Sequence, residues 1–241
     1  MTNAITVCGA SWSVEGNTIL RDVHLGVAPG EFVCVLGASG CGKSTLLNLV
    51  AGLDAPSSGS VHVPGGRPAL MFQEHALFPW LTAGGNIEFA LERRGVAKGQ
   101  RREEAAELLR LVRLPEAYRR RVHELSGGMR QRVALARALA QGSEVLLMDE
   151  PFAALDAITR DLLHDELTGV WSERKPAVLF VTHNVREAVR LGQRIVLMAA
   201  RPGRVAHVWD VDIPYPRRSE DADVSALARD ITARLREEIG E

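Results

Sequence analysis

Several things that would decide the class of this protein at once are scarce or missing. There is no surplus of charge: 29 basic and 30 acidic residues leave a formal net charge of −1, which speaks against a polyanion-binding surface. No apolar run approaches the roughly 20 residues needed to span a bilayer. The first residues lack the basic-then-apolar layout of a signal peptide. The three cysteines, Cys8, Cys34 and Cys41, are too few and too scattered for a disulfide framework or a zinc site; they read as reduced thiols in the cytosol. Internal repeats and low-complexity segments are missing as well. What remains is a chain of 241 residues, enough for one large domain or a core with a smaller lobe.

Apolar runs and helical periodicities alternate along it. EFVCVLG (31–37) is a short apolar run ending in glycine, as a buried strand feeding a loop would be. STLLNLVAG (44–52) has apolar residues at helical spacing and a glycine stop. RPALMFQ (67–73) reads as a second strand. Residues 86–114 read as largely helical, with EEAAELLRLV clearest and a basic, glycine-containing break at RRGVAKGQRR. SGGMRQRVALARALAQG (126–142) predicts a helix with Ser126 as N-cap and Gly142 as stop. VLLMDE (145–150) and AVLFVTH (177–183) are apolar strands ending in polar groups, and IVLMAARPGRV (195–205) has the form of a hairpin. Val224, Leu227, Ala228, Ile231 and Leu235 make one helical stripe to pack on the core. Acids as common as bases on its other face argue against a helix lying on a membrane.

This pattern is that of an α/β fold whose mostly parallel sheet is covered on both faces. The stretch between Gln73 and Val145 lacks a strong strand signal and reads as an inserted helical subdomain. One domain is thereby divided into a core of 1–73 and 143–210, a helical subdomain of 74–142 and a C-terminal tail of 211–241. In such sheets ligands sit beyond the carboxyl ends of the strands. Polar residues collect there: after Gly37, at Gln73, at Asp149 and Glu150, and at His183.

GASGCGKST (37–45) fits the phosphate-binding pattern G-x-x-x-x-G-K-[ST], after a strand and before a helix. Its glycines let backbone N–H groups turn around phosphate oxygens, and the helix N-terminus adds its positive dipole end. Lys43 is expected to reach the β- and γ-phosphates and Ser44 to ligate Mg²⁺; a chance Gly/Ser turn is the alternative, which both flanks oppose. Cys41 is expected to be only a small side chain in the loop, where a bulky thiol reagent would block nucleotide. Asp149 is placed to hold Mg²⁺ through water, and Glu150 to polarise the attacking water as general base. A helix N-cap or a surface ion pair is the other reading of paired acids at a strand end. A lone Gln or His ending a strand is often structural. On a shared edge with a phosphate loop, Gln73 becomes a candidate for Mg²⁺ or the water, and His183 for a hydrogen bond to the γ-phosphate.

LSGGMRQR (125–132) offers no nucleophile, base or metal ligand, yet keeps two adjacent glycines before a helix. Taken in order, the phosphate loop, Gln73, LSGGMRQR, VLLMDE, ALD (154–156) and VTH (181–183) resemble the nucleotide-binding subunit of an ABC transporter. The resemblance runs over residues 4–210. QEHALFPWLT (73–82), PFAALDAITR (151–160) and ARPGRV (200–205) are similar, more narrowly, to the nitrate, sulfonate and taurine importer branch. The resemblance implies a P-loop NTPase (RecA-like) core with an N-terminal antiparallel β portion, and an ATP hydrolase coupled to transport.

It further implies a head-to-tail dimer of two copies with two ATP molecules in the interface. Each ATP would lie on Gly37, Ala38, Ser39, Gly40, Cys41, Gly42, Lys43, Ser44 and Thr45 of one chain, closed over by Ser126, Gly127 and Gly128 of the other. Asp156 would communicate across that interface. Trp12 stands where the family places an aromatic on adenine, with a buried core Trp as the other reading. Integral membrane permease subunits are the implied partners, with a periplasmic or lipid-anchored substrate-binding protein indirectly and no nucleic acid. That puts the chain peripherally on the cytoplasmic face of the inner membrane. LFPWL (77–81) would meet the permease, or be subdomain core. Family members in DNA repair and translation carry a long coiled coil or a second cassette, and neither is seen here. Asn184 replaces a common aspartate. Gly84 and Gly85 stand where relatives have larger residues; they predict a looser link, or a helix that starts only at Asn86. Arg130 and Arg132 receive no role.

Overall fold

The computed structural model describes residues 2–73, 76–153 and 155–239. Strands β1 (Ile5–Val14) and β2 (Asn17–Val27) lead into β3 (Phe32–Gly37) and helix α1 (Lys43–Val50). β4 (Ser58–His62) and β5 (Ala69–Met71) follow, then α2 (Ala83–Arg93), α3 (Lys98–Leu111) and α4 (Gly127–Ala140). The second half alternates β6 (Val145–Asp149), α5 (Ala157–Arg174), β7 (Ala177–Thr182) and α6 (Val185–Leu191). It ends in the pair β8 (Arg194–Ala199) and β9 (Arg204–Asp210) and the helix α7 (Ala222–Ile239).

Six strands in the order β5-β6-β7-β3-β8-β9 form one sheet, parallel except for the β8–β9 pair. A separate antiparallel sheet has the order β2-β1-β4. This is the expected α/β architecture with its antiparallel N-terminal portion. Successive side chains of a strand point to opposite faces, so a strand buried on both sides feeds two cores. In β3, Phe32, Cys34 and Leu36 join one apolar cluster, while Val33 and Val35 join the other. Residues of β6 and β7 divide the same way, Met148 and Phe180 to the first, Leu147 and Leu179 to the second. The first cluster continues into Ile87, Leu108, Leu109 and Val133, so the helices of 74–142 are built onto one face of the sheet and share its core. α1 and the antiparallel sheet close the other face. Phe180 stands 5.9 Å, ring centre to ring centre, from both Phe32 and Phe152; such pairs add about 0.5–1.5 kcal/mol each beyond the area they bury.

Element boundaries differ from the sequence expectation at specific residues. β5 keeps only three residues of the 67–73 run; Pro68 just before it has no N–H to give a ladder. α2 begins at Ala83, not Asn86, because Thr82 caps it, accepting the Gly85 N–H at 3.0 Å. Gly84 is a packing residue: its N–H bonds Tyr118 O at 2.9 Å, and a Cβ there would stand 2.6 Å from the Tyr118 ring. The looser link expected from the two glycines is therefore replaced by a close approach that only glycine permits. In the tail, Val224, Ala228 and Ile231 are buried, with Leu227 and Leu235 at the core's edge. Buried Arg217 fastens it, donating to Val189 O at 2.8 Å, Gly192 O at 2.6 Å and Val211 O at 3.1 Å.

Candidate functional site

β6, β7 and β3 are neighbours in one parallel sheet, so their carboxyl ends lie side by side. β3 ends at Gly37 and runs into the glycine-rich loop. Gly40 and Gly42 have φ of +77° and +96°, backbone that glycine adopts readily and that lets successive N–H groups converge on one concavity. The base of the loop is packed. A Cβ at Gly42 would lie 2.5 Å from Leu20 Cδ2, and one at Gly37 would lie 2.5 Å from Cys41 Sγ and 2.8 Å from Met198 O. The β8–β9 turn presses from a third side: a Cβ at Gly203 would lie 2.1 Å from Cys41 O, and its N–H bonds Ile19 O at 2.8 Å. The crest is open, with nothing within 4 Å of a Cβ at Gly40. α1 starts at Lys43 with Gly42 as its N-cap, which sets a helix N-terminus at the loop.

Lys43 is 5% exposed. Its Nζ donates to Gly37 O at 2.9 Å and Ala38 O at 3.0 Å, and stands 3.9 Å from Glu150 Oε1. Glu150 Oε2 in turn meets His183 Nδ1 at 2.9 Å. Three strand ends are thereby joined by one chain of side chains. Glu150 enters it from left-handed backbone, φ +42°, a conformation that costs a non-glycine residue about 1–3 kcal/mol. Backbone bonds hold it there, Glu150 N–H to Val181 O at 3.0 Å and Ala153 N–H to Glu150 O at 3.2 Å. Asp149, the last residue of β6, accepts a hydrogen bond from Ser44; burial pushes its carboxyl above the usual carboxylate range against that bond. Neither acid caps a helix, and Glu150 faces Lys43 instead of solvent.

These residues fit a nucleoside triphosphate with a divalent cation. Ser44 and Asp149 are hard oxygen donors of the kind Mg²⁺ takes, and Lys43 is a positive charge fixed beside them. Among the described residues no group of three or more His, Cys, Asp or Glu side chains would hold a metal alone, so phosphate and water would complete its shell. Cys41 is corrected in one respect: it is 1% exposed, and burial pushes its thiol up despite nearby Lys43. A thiol reagent meets a buried, poorly ionised sulfur that supports Gly37 from beneath.

Two expected site residues stand apart from that chain. Gln73 is exposed two residues beyond β5, and among the described residues no hydrogen bond joins it to Lys43, Ser44, Asp149, Glu150 or His183. Its neighbours Glu74 and His75 lie outside the described residues. Trp12 is half-buried at the rim of the second core, not inside it. Its cross-strand partner is Leu20, the side chain that a Cβ at Gly42 would meet.

At the head of α4, Ser126 Oγ accepts the Met129 N–H at 3.2 Å, the N-cap expected. Gly127 has open space around it, while a Cβ at Gly128 would lie 2.7 Å from Thr159 Cγ2. Thr159 N–H donates to Asp156 Oδ1 at 3.0 Å; this bond, foremost, holds the Asp156 carboxyl below its usual range. Asp156 is thus the N-cap of α5, and the first turns of α4 and α5 touch through Thr159. Ala154, in the ALD stretch, lies outside the described residues. Among the described residues no hydrogen bond or ion pair joins Ser126, Gly127 or Gly128 to the Lys43–Glu150–His183 chain. Arg130 Nη1 donates to Leu125 O at 3.1 Å and Arg132 Nε stands 3.1 Å from Glu166 Oε2, so both serve locally. Sequence reasoning passed over Thr159 and Arg160; the latter holds the turn after Glu150 through Phe152 O at 3.3 Å and Leu155 O at 2.7 Å. Their only sequence signal was their place in the first turn after a capping aspartate.

Within LFPWL, Pro79 and Trp80 are exposed, Leu77, Phe78 and Leu81 are half-buried, and Leu77 packs on the first core. Trp80 is 67% exposed, Phe72 45% and Phe89 43%, with Phe78 between them at 5.3 Å from Trp80 and 4.9 Å from Phe89. Leu53, Phe72, Phe78, Phe89, Arg93 and Arg137 line a groove of about 590 Å³. An exposed aromatic patch of this kind marks an interaction surface. Among the described residues no helix is long and apolar enough to cross a membrane.

The sequence model of the family described as ABC transporter matches residues 20–153. The aliphatic sulfonates import ATP-binding protein of Bacillus subtilis is 43% identical over 236 residues, 94% of this chain and 91% of that protein. The taurine import ATP-binding protein of Sinorhizobium fredii is 49% identical, covering 81% of this chain and 74% of its own. The nitrate import ATP-binding protein of Synechocystis is 43% identical, covering 81% and 76%. A dimeric bacterial ABC transporter cassette superposes with a TM-score of 0.76 at 30% identity, over 87% of this chain and 100% of that one. The same cassette in a post-hydrolysis state bound to ADP and Pi gives 0.75, also at 30% identity and over the same shares of both chains.

Proposed function

The chain belongs to the ABC transporter family, as an ATP-binding and hydrolysing cassette, and from that premise we propose that it powers an importer for a small anion such as nitrate, a sulfonate or taurine. The observation that carries the catalytic reading is the Lys43–Glu150–His183 chain at the mouth of the phosphate loop. ATP lies with its phosphates over Gly37–Thr45 and its adenine against Trp12. Lys43 leaves the loop carbonyls for the β- and γ-phosphates. Glu150, aimed by its left-handed backbone, takes the proton of the attacking water, and His183 hydrogen-bonds the γ-phosphate. Ser44 and, through water, Asp149 would hold Mg²⁺, which when bound would supply positive charge to the phosphate oxygens. Gln73 would serve the metal or the attacking water.

Ser126 and the N–H groups of Gly127 and Gly128 act on the ATP of a second copy, arranged head to tail, and Asp156 lies near that interface. The open space at Gly127 supports this reading. The groove around Phe78 takes a helix of an integral membrane permease, which seats the chain on the cytoplasmic face of the inner membrane. A periplasmic or lipid-anchored binding protein delivers the substrate to that permease. Names of the relatives support the substrate class; the transported molecule never touches this chain.

The test is Glu150→Gln with MgATP. Without the base the ATP sandwich accumulates, and light scattering reads a dimer. A variant that stays monomeric at saturating MgATP removes the general base and the sandwich together.

A further inference from the structure

Behind the catalytic chain lies a buried pair that the chemistry above does not use. His164 on α5 is 3% exposed and Glu187 on α6 is 6% exposed. The His164 Nε2–H donates to Glu187 Oε1 at 2.7 Å. Thr182, the residue before His183, donates its hydroxyl hydrogen to Glu187 Oε2. The same hydroxyl oxygen accepts the Asn184 N–H at 3.0 Å, and Asn184 Oδ1 accepts the Glu187 N–H at 3.3 Å. The corner 182–184, with His183 at its apex, is therefore held to Glu187 from both flanks, by its carboxylate through Thr182 and by its backbone N–H through Asn184.

The imidazole reaches the other two segments. Its ring lies edge-on to Phe152, centres 5.3 Å apart, and Phe152 follows Glu150 by two residues. Its own helix is the one Asp156 begins. Among the described residues His164 Nδ1 has no hydrogen-bond partner; the Asp161 carboxylate is 3.9 Å away and is taken up by Arg190. Burying a hydrogen-bonded polar pair between helices gives little net stability over apolar groups of the same shape. Stability alone does not account for this one.

We propose that His164 and Glu187 are positioning residues for ATP hydrolysis, holding His183 within reach of Glu150 and tying that corner to α5. The proposal rests on the roles given above to Glu150 and His183. Neither member of the pair touches nucleotide, so their loss falls on turnover and not on binding.

Steady-state hydrolysis by the purified full chain tests it. His164→Leu should lower kcat by about 10- to 100-fold with KM held within about 2-fold, as for a reacting group displaced from a distance. His164→Gln, whose amide N–H still donates to Glu187, should return to within about 5-fold of the parent. Added to His183→Ala, His164→Leu should cost less than about 2-fold more, because both remove the same contact. Unchanged kcat in His164→Leu overturns the proposal, as does a loss that adds in full to that of His183→Ala. Should the leucine variant not fold, Glu187→Gln carries the same cycle. Full activity of His183→Ala would sink the catalytic reading itself. An inactive His183→Ala beside a fully active His164→Leu sinks the positioning pair alone.

Discussion

The molecule has two glycine-rich helix starts, the phosphate loop and Ser126–Gly128, and they differ in what surrounds them. At the phosphate loop every group has its counterpart in the same chain: Lys43 on two carbonyls and near Glu150, Glu150 on His183, Ser44 on Asp149. Leu20, Met198 and Gly203 mould its base. The Ser126–Gly128 end is capped and packed against Thr159 behind, and open in front. Both ends combine glycine with a helix N-terminus, yet one is a finished machine and the other a set of donors. A glycine pair beside a helix is thus a poor guide to where its ligand is held; the neighbours decide that.

The sharpest way to break this contrast is Lys43→Ala. Removing a fixed charge from the transferring phosphoryl group should lower kcat by about 10²- to 10³-fold, read by phosphate release, with the fold intact by circular dichroism. Retention of activity would mean that the finished end is not the catalytic one. At the other end, Gly127→Ala meets no neighbour, so it should leave Tm unchanged or raise stability by up to about 1 kcal/mol. It should nonetheless lower hydrolysis about 10-fold, if a backbone N–H must approach a phosphate closely. A purely structural glycine would show the gain without the loss. Gly128→Ala should instead cost about 1 kcal/mol of stability, crowding Thr159 against a gain in helix propensity; denaturant melts separate the two glycines.

The smallest effect contrasts two aspartates. Asp149 is raised by burial, so its charged form burdens the fold at neutral pH, and that burden lifts as pH falls through the raised value. Asp156 is lowered by the Thr159 N–H, so its stabilisation is complete above the unfolded value and is lost as pH falls through the lowered one. At neutral pH Asp149→Asn should therefore raise Tm while hydrolysis fails, and Asp156→Ala should lower Tm, with the Asp156 difference vanishing in acid. Tm measured across pH checks both signs, and reversal of either one undoes the assignment.

How much of this was legible in the sequence follows from how local each signal is. β3, β6 and β7 are apolar on both faces, so their runs are continuous and their polar last residues stand out. The phosphate loop, Asp149 and Glu150 could be read for that reason. β1 could not be read from periodicity: Gly9 at φ +58° and register shifts between Val7 and Trp12 break its alternation. Gly84 misled because propensity knows nothing of Tyr118, 34 residues on. Gln73 was read from its place at the end of a predicted strand, and among the described residues no hydrogen bond joins it to the catalytic groups. The His164–Glu187 pair spans 23 residues and exists only once α5 and α6 have packed.

Gly203 has a practical meaning for anyone who wants to relink, label or split this chain. The β8–β9 turn looks like an ordinary hairpin tip, the sort of place where insertions are tolerated. Its glycine is wedged against the backbone of Cys41, so a peptide spliced in at 200–203 would be transmitted straight into the nucleotide loop. Gly95, in the turn between α2 and α3 and with nothing within 4 Å of a Cβ, is the better place to cut.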